Sequence, residues 1–387
     1  KTTPGADNGA NTVAGLENFT YQATDALGNT TTGTIKISIV DDVPQATNDT
    51  GTLIEGGTST LNVLANDILG ADGGAAGGAV VAIKAGSNAA VTVTSGGSTV
   101  INGTYGTLTI SADGTAVYKG TPNLVTTPTA TDTFTYTIRD GDGDQSTATV
   151  TFTLTDSGLK VVSDAQATVF ENALDLVKDG ADLAQGTVTG STPASTAETV
   201  TGNLTANTSG GSGALTFVLL SNTAGAYGQI QLNANGQYTY TLTSAPKTTP
   251  GADNGANVID GQESFTYQAT DALGNTTTGT IKISIVDDVP QATNDTGTLI
   301  EGGTSTLNVL ANDVLGADGG AAGGAVVAIK AGSNAAVTVT SGGSTVINGT
   351  YGTLTISADG TAVYKGTPNL VTTPTATDTF TYTIRDG

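Results

Sequence analysis

The sequence contains no cysteine, histidine, methionine or tryptophan. Without cysteine there is no disulfide and no thiolate nucleophile, and without histidine there is no Ser-His-Asp triad and no typical zinc centre. No apolar run reaches the roughly 18 residues that a membrane-spanning helix needs, so we expect no direct membrane insertion by this segment. A glycosidase would need only two carboxylates, but no pair stands apart from the turns. We therefore predict that the chain is not an enzyme.

Basic residues are also scarce. The chain has 12 Lys and Arg against 34 Asp and Glu, which gives a net charge of −22. This balance argues against nucleic acid and anionic membranes as partners, because both are bound through basic patches. Carboxylate oxygens are hard ligands of the kind that calcium prefers. The composition therefore permits Ca²⁺ as a cofactor.

The most informative feature that is present is a long internal repeat. Residues 1–141 recur as residues 247–387 with only six differences. A period of this length corresponds to one or two whole domains rather than to a solenoid unit. Near-identity indicates that copies are added and lost as blocks. Such an array most simply uses copy number, and hence length, and its first partners are neighbouring repeats of the same chain.

Thr, Val, Ala and Gly dominate the composition, and in the regular segments apolar and polar residues alternate between turn signals. This pattern predicts β-hairpins. The clearest pairs are Phe19–Asp25 with Thr32–Val40, Thr133–Asp140 with Ser146–Thr155, and Phe265–Asp271 with Thr278–Val286. Helical periodicity is weak, and Ala173–Leu183 predicts a single turn at most. We predict an all-β fold of tandem Ig-like or cadherin-like β-sandwich domains joined end to end, with turns every 8–12 residues.

Each hairpin is followed by an Asp-containing linker, so we interpret it as the last two strands of a domain. Two domain types then alternate. The predicted segments are 1–42 (the C-terminal part of a type-2 sandwich), 43–156 (type 1), 157–288 (type 2) and 289–387 (type 1 without its last strand). A fragment of two or three strands is not stable alone. Residues 1–42 must therefore pair with further strands, and the sequence does not identify them.

Several of these segments resemble a known family. Residues 63–67 read VLAND and residues 133–144 read TFTYTIRDGDGD; with Asn48, Asp49 and Glu55 they resemble the cadherin-like and bacterial Ig-like repeats of large bacterial adhesins. Residues 264–271, SFTYQATD, look like a divergent member. The block structure and the lack of cysteine resemble the extender region of RTX adhesins, which are exported by type I secretion. The glycine-rich RTX nonapeptide itself does not occur.

The resemblance covers essentially the whole chain. It implies calcium at the domain junctions and a location outside the cell, at the bacterial surface, with outer-membrane anchoring through other regions. It also implies a spacer role in adhesion and biofilm formation, with the target ligand bound elsewhere in the parent protein.

The topology of a sandwich places the predicted calcium ligands. The last strand ends at the C-terminal pole, so the loop before it lies at the N-terminal pole, beside the incoming linker. The ligands expected at this pole are Asp41, Asp42, Asp49, Asn66, Asp67, Asp72, Asp140, Asp142 and Asp144, and their repeat copies Asp287, Asp288, Asp295, Asn312, Asp313, Asp318 and Asp386. Calcium takes six to eight such oxygens. Without an ion, so many carboxylates would repel one another.

The loop after the first strand lies at the opposite pole. It contains Glu55 in the first domain type and Glu171 in the second. We expect Glu55 to approach Asp156 and the loop from Asp271 to Asn275. We expect Glu171 to approach Asp287, Asp288 and the next domain. The alternative is that these Asp-Gly and Asn-Asp pairs are ordinary solvated turns.

Two functions of different classes remain. In the first, the chain is a calcium-rigidified spacer that projects a distal ligand-binding domain. In the second, the repeated domains themselves bind glycans or neighbouring adhesin molecules, and tandem copies provide avidity.

Overall fold

The computed structural model describes residues 10, 12–247 and 257–387. These residues form an all-β structure of tandem Ig-like and cadherin-like domains. In this part of the chain the helical elements are two short 3₁₀ turns, Glu171–Ala173 and Leu204–Asn207. The first of them overlaps the start of the segment for which one turn was predicted. No helix in the described part is long and apolar enough to cross a membrane. Residues 1–9 and 11 of the predicted segment 1–42, and residues 248–256 of the predicted segment 157–288, lie outside the described residues.

The chain divides into two compact units. The first holds the residues up to Leu159 together with Gly210–Ala214 and Thr270–Thr276, and the second holds the rest. Each predicted domain boundary remains a prediction, because the units do not follow the boundaries between the sandwiches.

The first unit begins with a hairpin and continues with a sandwich. The hairpin is β1 (Thr12–Thr24) and β2 (Thr30–Val40). The sandwich strands are β3 (Asp49–Ile54), β4 (Thr58–Asn62), β5 (Val80–Ala85), β6 (Val91–Thr92), β7 (Ser98–Asn102), β8 (Gly106–Ser111), β9 (Thr115–Gly120), β10 (Thr129–Arg139) and β11 (Gln145–Thr155). They form two sheets with the orders β3-β11-β10-β5-β6 and β4-β9-β8-β7.

Alternation builds the core of this sandwich. β10 and β11 pair antiparallel over their whole length, from Thr129↔Thr155 to Arg139↔Gln145. Their apolar residues share one face, so that Phe134, Tyr136 and Ile138 are fully buried. β3 runs parallel to β11 and closes the edge of the sheet. The loop 140–144 therefore lies at the same end of the sandwich as the start of β3.

The second unit contains most of a second sandwich and the strands of a third. The second sandwich has β12 (Lys160–Val161), β13 (Ala165–Phe170), β14 (Thr199–Asn203), β15 (Thr208–Ser209), β16 (Thr216–Leu219), β17 (Gly228–Leu232), β18 (Gln237–Leu242), β19 (Val258–Thr270) and β20 (Thr276–Val286). The third has β21 (Thr304–Asn308), β22 (Val326–Ala331), β23 (Val337–Thr338), β24 (Ser344–Asn348), β25 (Gly352–Ser357), β26 (Thr361–Gly366) and β27 (Phe380–Ile384). The sheet orders are β13-β20-β19-β16, β14-β18-β17, β12-β15, β21-β26-β25-β24 and β23-β22-β27.

A buried hydrogen bond between a tyrosine and a carboxylate lies in the core of the first sandwich and in that of the second. In the first sandwich the Tyr118 hydroxyl donates to Asp132 Oδ2 at 2.5 Å, inside a fully buried ring cluster. In the second sandwich the Tyr240 hydroxyl donates to Glu263. A buried carboxylate is tolerable when donors surround it, as Asp132 is by two backbone N–H groups as well. These carboxylates are parts of the core rather than ligands.

The repeat allows one strand pair to be compared in two surroundings. In β19 the rings of Phe265 and Tyr267 are 3% and 0% exposed, because the second sandwich covers them. Their counterparts in β1, Phe19 and Tyr21, are 53% and 54% exposed. The hairpin pairing is the same in β1 and β2, and Tyr21 lies against Gly33 as Tyr267 lies against Gly279. The hairpin thus forms locally, while its core exists only where a sandwich surrounds it.

The third sandwich gives a second comparison. Residues 295–300 have the same sequence as β3, DTGTLI, but they are not a strand. In the described chain β27 pairs only with β22 and has no neighbour equivalent to β11. Phe380 and Tyr382 are accordingly only partly buried, whereas Phe134 and Tyr136 are fully buried. β3 therefore depends on the parallel partner β11.

We predict that Tyr267→Ala lowers the local free energy of unfolding much more than Tyr21→Ala does. Removing the buried Tyr267 ring should lower the local stability of β19 and β20 by about 3–5 kcal/mol, as for other large buried aromatic residues. The same change at the exposed Tyr21 should cost less than about 1 kcal/mol in β1 and β2. Native-state hydrogen exchange measures both on the same chain. Equal losses at the two sites would contradict the burial difference.

Candidate metal-binding site

The loop after β10 is a tight carboxylate-rich turn. Asp140 Oδ1 accepts hydrogen bonds from the backbone N–H groups of Gly143 and Asp144, both at 2.8 Å. The Asp140 N–H donates to the carbonyl of Asp144 at 3.1 Å. Gly143 has a φ of +122°, which favours glycine. This turn brings one oxygen each from Asp140, Asp142 and Asp144 to within 4.8 Å of one another.

The linker before the sandwich joins the same cluster. One oxygen each from Asp41, Asp72 and Asp142 lie within 4.8 Å of one another, so Asp142 belongs to both groups. Asp42 Oδ2 accepts from the Ala71 N–H at 3.0 Å, which holds the loop that contains Asp72 against the linker. We call Asp41, Asp72, Asp140, Asp142 and Asp144 the first cluster. Five of the predicted ligands are thus neighbours, and Asp42 holds the loop of one of them, Asp72.

The electrostatics of the first cluster are unfavourable without a cation. Asp144 is fully buried, and neither of its carboxylate oxygens has a hydrogen-bond donor. Asp41 Oδ2 and Asp140 Oδ2 also have none among the described residues. Burial, reinforced by the carboxyls of Asp41 and Asp140, raises the pKa of Asp144 to about 6. Buried oxygens that no protein donor satisfies, gathered from two segments, fit a hard cation such as calcium.

A second cluster lies at the repeat copy of this linker. Glu171, at the end of β13, offers an oxygen within 4.8 Å of oxygens from Asp287 and Asp318. Asp288 accepts from the Ser191 N–H at 2.8 Å, the Ser191 hydroxyl at 2.5 Å and the Ala317 N–H at 3.0 Å. We call Glu171, Asp287 and Asp318 the second cluster. Asp288, like Asp42, acts as the anchor that holds the loops together.

Glu171 is the most perturbed carboxyl in the second cluster. It is fully buried, and its Oε1 has no donor among the residues that the structure describes. Burial, with Asp318 and Asp287 nearby, raises its pKa to about 8. Burial raises the pKa of Asp386 as well, with Asp288 adding to the effect. The predicted ligands Glu171, Asp287 and Asp318 are therefore close enough for their charges to repel one another.

Three predicted ligands of the first pole lie together around a tyrosine instead. The Tyr136 hydroxyl is 2.9 Å from Asp49 Oδ2 and 3.1 Å from Asp67 Oδ1. Asn66 Nδ2 donates to the carbonyl of Asn48. Burial raises the pKa of both Asp49 and Asp67.

The third sandwich repeats this arrangement. Tyr382 replaces Tyr136, and Asp295, Asn312 and Asp313 take the places of the other three side chains. These six predicted ligands thus make hydrogen bonds around a tyrosine hydroxyl or a nearby backbone carbonyl, and among the described residues they belong to neither cluster.

The predicted site around Glu55 is built from hydrogen bonds. Glu55 Oε1 accepts from the Ser157 N–H and Oε2 from the Val125 N–H, each at 3.2 Å. Asn275 Nδ2 donates to the Glu55 carbonyl at 3.3 Å and to Asp271 Oδ2 at 3.0 Å.

The two aspartates near Glu55 are engaged as well. Asp271 Oδ1 accepts from two further backbone N–H groups, and its hydrogen bonds hold its pKa below the usual range despite burial. Asp156 is exposed and accepts from the Gly158 N–H. Glu55 and Asn275 do meet as predicted, but their polar atoms already have protein partners.

One acidic group was not predicted from the sequence. Asp179, Asp182 and Glu198 offer oxygens within 4.8 Å of one another. Their spacing in the sequence is irregular, and the loop that contains them has no repeat copy in the chain. No pattern in the sequence connects position 182 with position 198, so only the folded loop reveals the group.

Family models match three segments of the chain. A bacterial cadherin-like domain matches residues 41–156, and a bacterial Ig domain matches residues 178–284 and 287–387, which together exceed half of the chain. The chain belongs to the bacterial Ig domain family. Residues 41–141 and 287–387 differ at one position, so the two descriptions fall on copies of one domain type. Domains of these kinds are typically structural or adhesive modules, and they suggest an extracellular surface protein.

Solved structures give only distant likenesses. Cadherin domains 1–4 of protocadherin gamma B7 are 11% identical over 92% of this chain and 80% of theirs, with a TM-score of 0.27. Domains 1–5 of protocadherin gamma B2 are 11% identical over 92% of this chain and 59% of theirs, with a TM-score of 0.29. A three-domain fragment of mouse cadherin-23 is 15% identical over 85% and 89%, with a TM-score of 0.25. Such scores do not establish a shared arrangement of domains. No curated protein matches the chain.

We predict that, in the presence of a chelator, the free energy of unfolding falls as the pH rises from about 5 to 8. Glu171 and Asp144 have raised pKa values, so the folded chain keeps protons that the unfolded chain has released. Stability must then decrease with pH in this window. Glu171→Gln should flatten the slope between pH 5 and 8, as measured by denaturant titration.

A matched control is Asp113→Asn, in an exposed turn. Hydrogen bonds lower the pKa of Asp113, so its contribution is lost only when the pH falls below about 4. This variant should leave the slope above pH 5 unchanged. A stability that stays flat or rises between pH 5 and 8 in the unsubstituted chain would contradict the proposed repulsion.

Proposed function

We propose that this chain is part of the calcium-rigidified extender of a large bacterial surface adhesin. In this proposal each linker that contains an Asp-Asp pair is a joint, and calcium bound to the carboxylates makes the joint stiff. The repeated domains then act as a spacer that holds a distal ligand-binding domain away from the cell for adhesion and biofilm formation. The observation that most strongly supports the proposal is the gathering of carboxylates at both copies of the linker, where Asp144 and Glu171 are fully buried and have oxygens with no hydrogen-bond donor among the described residues.

The two clusters complement one another. The linker residues Asp41 and Asp287 are repeat copies, and so are Asp72 and Asp318. The first cluster adds the 140–144 turn, and the second adds Glu171 from the preceding sandwich. Since the repeat makes the two linkers equivalent, each cluster represents a part of one ligand set. A complete joint would combine both parts, which approaches the six to eight oxygens that calcium takes.

The ligands would come from three sources around each joint. The preceding domain supplies Glu171, the linker supplies Asp287, and the following domain supplies Asp318. Calcium supplies positive charge that cancels the repulsion among these carboxylates. The anchors, Asp42 and Asp288, keep the loops in position through backbone donors. Bending at such a joint would separate ligands of one ion, so we expect bound calcium to resist it.

Extracellular modules need calcium affinities of only about 10⁻⁴–10⁻³ M, because the ion is abundant outside cells. Where calcium is scarce, the same carboxylates would repel one another and loosen the joint. We infer that the parent protein is of the RTX type, exported by type I secretion and anchored in the outer membrane through other regions. The repeat, the acidic balance and the absence of cysteine support this inference.

The rival function, in which the repeats themselves bind glycans, would need exposed aromatic platforms. Tyr118, Tyr136, Tyr240 and Tyr267 have fully buried rings within the sandwiches, and the half-exposed rings of Phe19 and Tyr21 are buried in their repeat copies, Phe265 and Tyr267. Packing in the core therefore favours the spacer. A glycan array with one 246-residue repeat would separate the two functions.

We predict that substitutions in the clusters lower the calcium stoichiometry of the chain. Asp41→Asn with Asp144→Asn should remove at least one bound calcium, and Asp287→Asn with Asp318→Asn should remove another. Glu55→Gln is the matched control, because the oxygens of Glu55 already accept from backbone N–H groups. Isothermal calorimetry gives the stoichiometry. An unchanged number of sites in both double variants would contradict the assignment of the clusters.

We predict that chelation loosens the joints. Small-angle scattering should show a larger maximum dimension and less flexibility in millimolar calcium than in chelator. The double variant Asp287→Asn with Asp318→Asn should lose part of this response. If chelation changes neither quantity, the linkers are held by direct packing and calcium is not the stiffener.

A further inference from the structure

The second sandwich contains an unusually long segment without strands. After the 3₁₀ turn that ends at Ala173, no strand begins until β14 at Thr199. Loops longer than about 12–15 residues without regular structure are uncommon in compact domains, and those that persist are usually functional or disordered. This one is closed internally by a hydrogen bond from the Gly186 N–H to the Asp175 carbonyl, and it is tied to the sandwich by bonds from the Thr187 N–H to the Thr243 carbonyl and from the Phe170 N–H to the Ala197 carbonyl. It is therefore an ordered loop, and its acidic group needs an explanation.

The acidic group lies where the loop meets the sheet. Asp182 Oδ1 accepts from the Thr199 hydroxyl at 2.6 Å, and that hydroxyl is 2.6 Å from the Thr241 hydroxyl of the paired strand. The Leu183 N–H also donates to the Thr241 hydroxyl, at 2.9 Å. Asp182 is thereby fixed beside Glu198, which precedes β14 directly. The third member, Asp179, lies at the exposed side and donates its N–H to Asp182 Oδ2 at 3.2 Å.

Glu198 distinguishes this group from an ordinary acidic patch. Its side chain is 96% buried, since only 4% is exposed, and its Oε2 has no hydrogen-bond donor among the described residues. One carboxylate oxygen of Glu198 lies within 4.8 Å of oxygens from Asp182 and Asp179. The salt bridge found in the described chain joins Lys282 to Asp164, so no lysine or arginine there lies within ion-pair distance of the group. A buried carboxylate that faces two others without a donor or a counter-charge is costly unless a cation is present.

We propose that Asp179, Asp182 and Glu198 form a calcium site within the second sandwich, separate from the two clusters at the linkers. Three carboxylates from a loop, one of them at the solvent edge, suit a large cation that accepts irregular geometry and completes its shell with water. Magnesium demands a stricter octahedron and gives up its water reluctantly. The bound ion would join the segment 175–198 to the β14–β18 edge. The role of the site is therefore to order this loop.

The ion would relieve repulsion within the group, because Glu198 is buried and two other carboxylates lie within 4.8 Å of it. Removing the charge of Glu198 should therefore not harm the calcium-free fold. This expectation separates a ligand from a residue that is needed only for packing.

The test uses the full chain and calcium chloride alone. Glu198→Gln keeps the shape of the side chain and removes its charge. We expect this variant to lose one calcium equivalent in calorimetry, or to bind at this site at least tenfold more weakly. In chelator it should melt at or above the temperature of the unsubstituted chain. Hydrogen exchange of residues 175–198 should slow on calcium addition in the unsubstituted chain and should not slow in the variant.

Two controls keep the result specific. Asp359→Asn removes one exposed carboxylate from a turn in the third sandwich and should change neither the stoichiometry nor the exchange of the loop. Asp287→Asn with Asp318→Asn should remove the linker calcium and leave the calcium response of residues 175–198 intact, so failure of one site is distinguishable from failure of the other.

Three results would overturn the proposal. The first is an unchanged stoichiometry in Glu198→Gln, and the second is a calcium-independent exchange rate of the loop. The third is equal protection of the loop by magnesium and calcium at the same concentration, which would indicate only general screening of the acidic group.

Discussion

Repulsion between carboxylates held together by the backbone is the constraint on which the proposed role of this protein depends. The chain uses its own N–H groups to build the clusters: Asp140 organises the turn that contains Asp142 and Asp144, and Asp42 fixes the loop of Asp72. These hydrogen bonds satisfy one oxygen and leave others buried without donors. The fold is thus arranged around charges that it cannot neutralise by itself, since acids outnumber bases almost three to one.

The sandwiches explain how such clusters can be tolerated. A core of fully buried rings and aliphatic side chains lies between the sheets of each complete domain, and the clusters lie at its ends. The hydrophobic effect of the core stabilises each domain without any contribution from the clusters. In the proposed function, calcium would therefore act on the connections between domains rather than on the folding of each one. A spacer would need this separation, because its length must persist while its joints respond to calcium.

The repeat shows how far local sequence determines structure in this chain. β1–β2 and β19–β20 form similar hairpins, because alternation and turn residues act over short distances. Their burial differs because it depends on the rest of the sandwich. The segment DTGTLI is a strand at 49–54 and not at 295–300, since a parallel edge strand is stabilised by a partner that is distant in sequence. Identical residues therefore give different structures when their neighbours differ.

The sequence alone was sufficient for the all-β class, the hairpins and the pole at which Asp41, Asp72 and Asp140–Asp144 meet, because the period of two and the order of strands determine which loops share an end. It could not separate true neighbours from residues at the same pole: Asp49 and Asp67 bind the Tyr136 hydroxyl, and Glu55 is occupied by backbone donors. Nor could it connect Asp182 with Glu198, which meet only because a long loop folds back onto β14 and β18. The alternation that makes strands and hairpins is encoded locally, whereas the few ångströms that make a carboxylate a ligand or a hydrogen-bond acceptor are decided by tertiary packing.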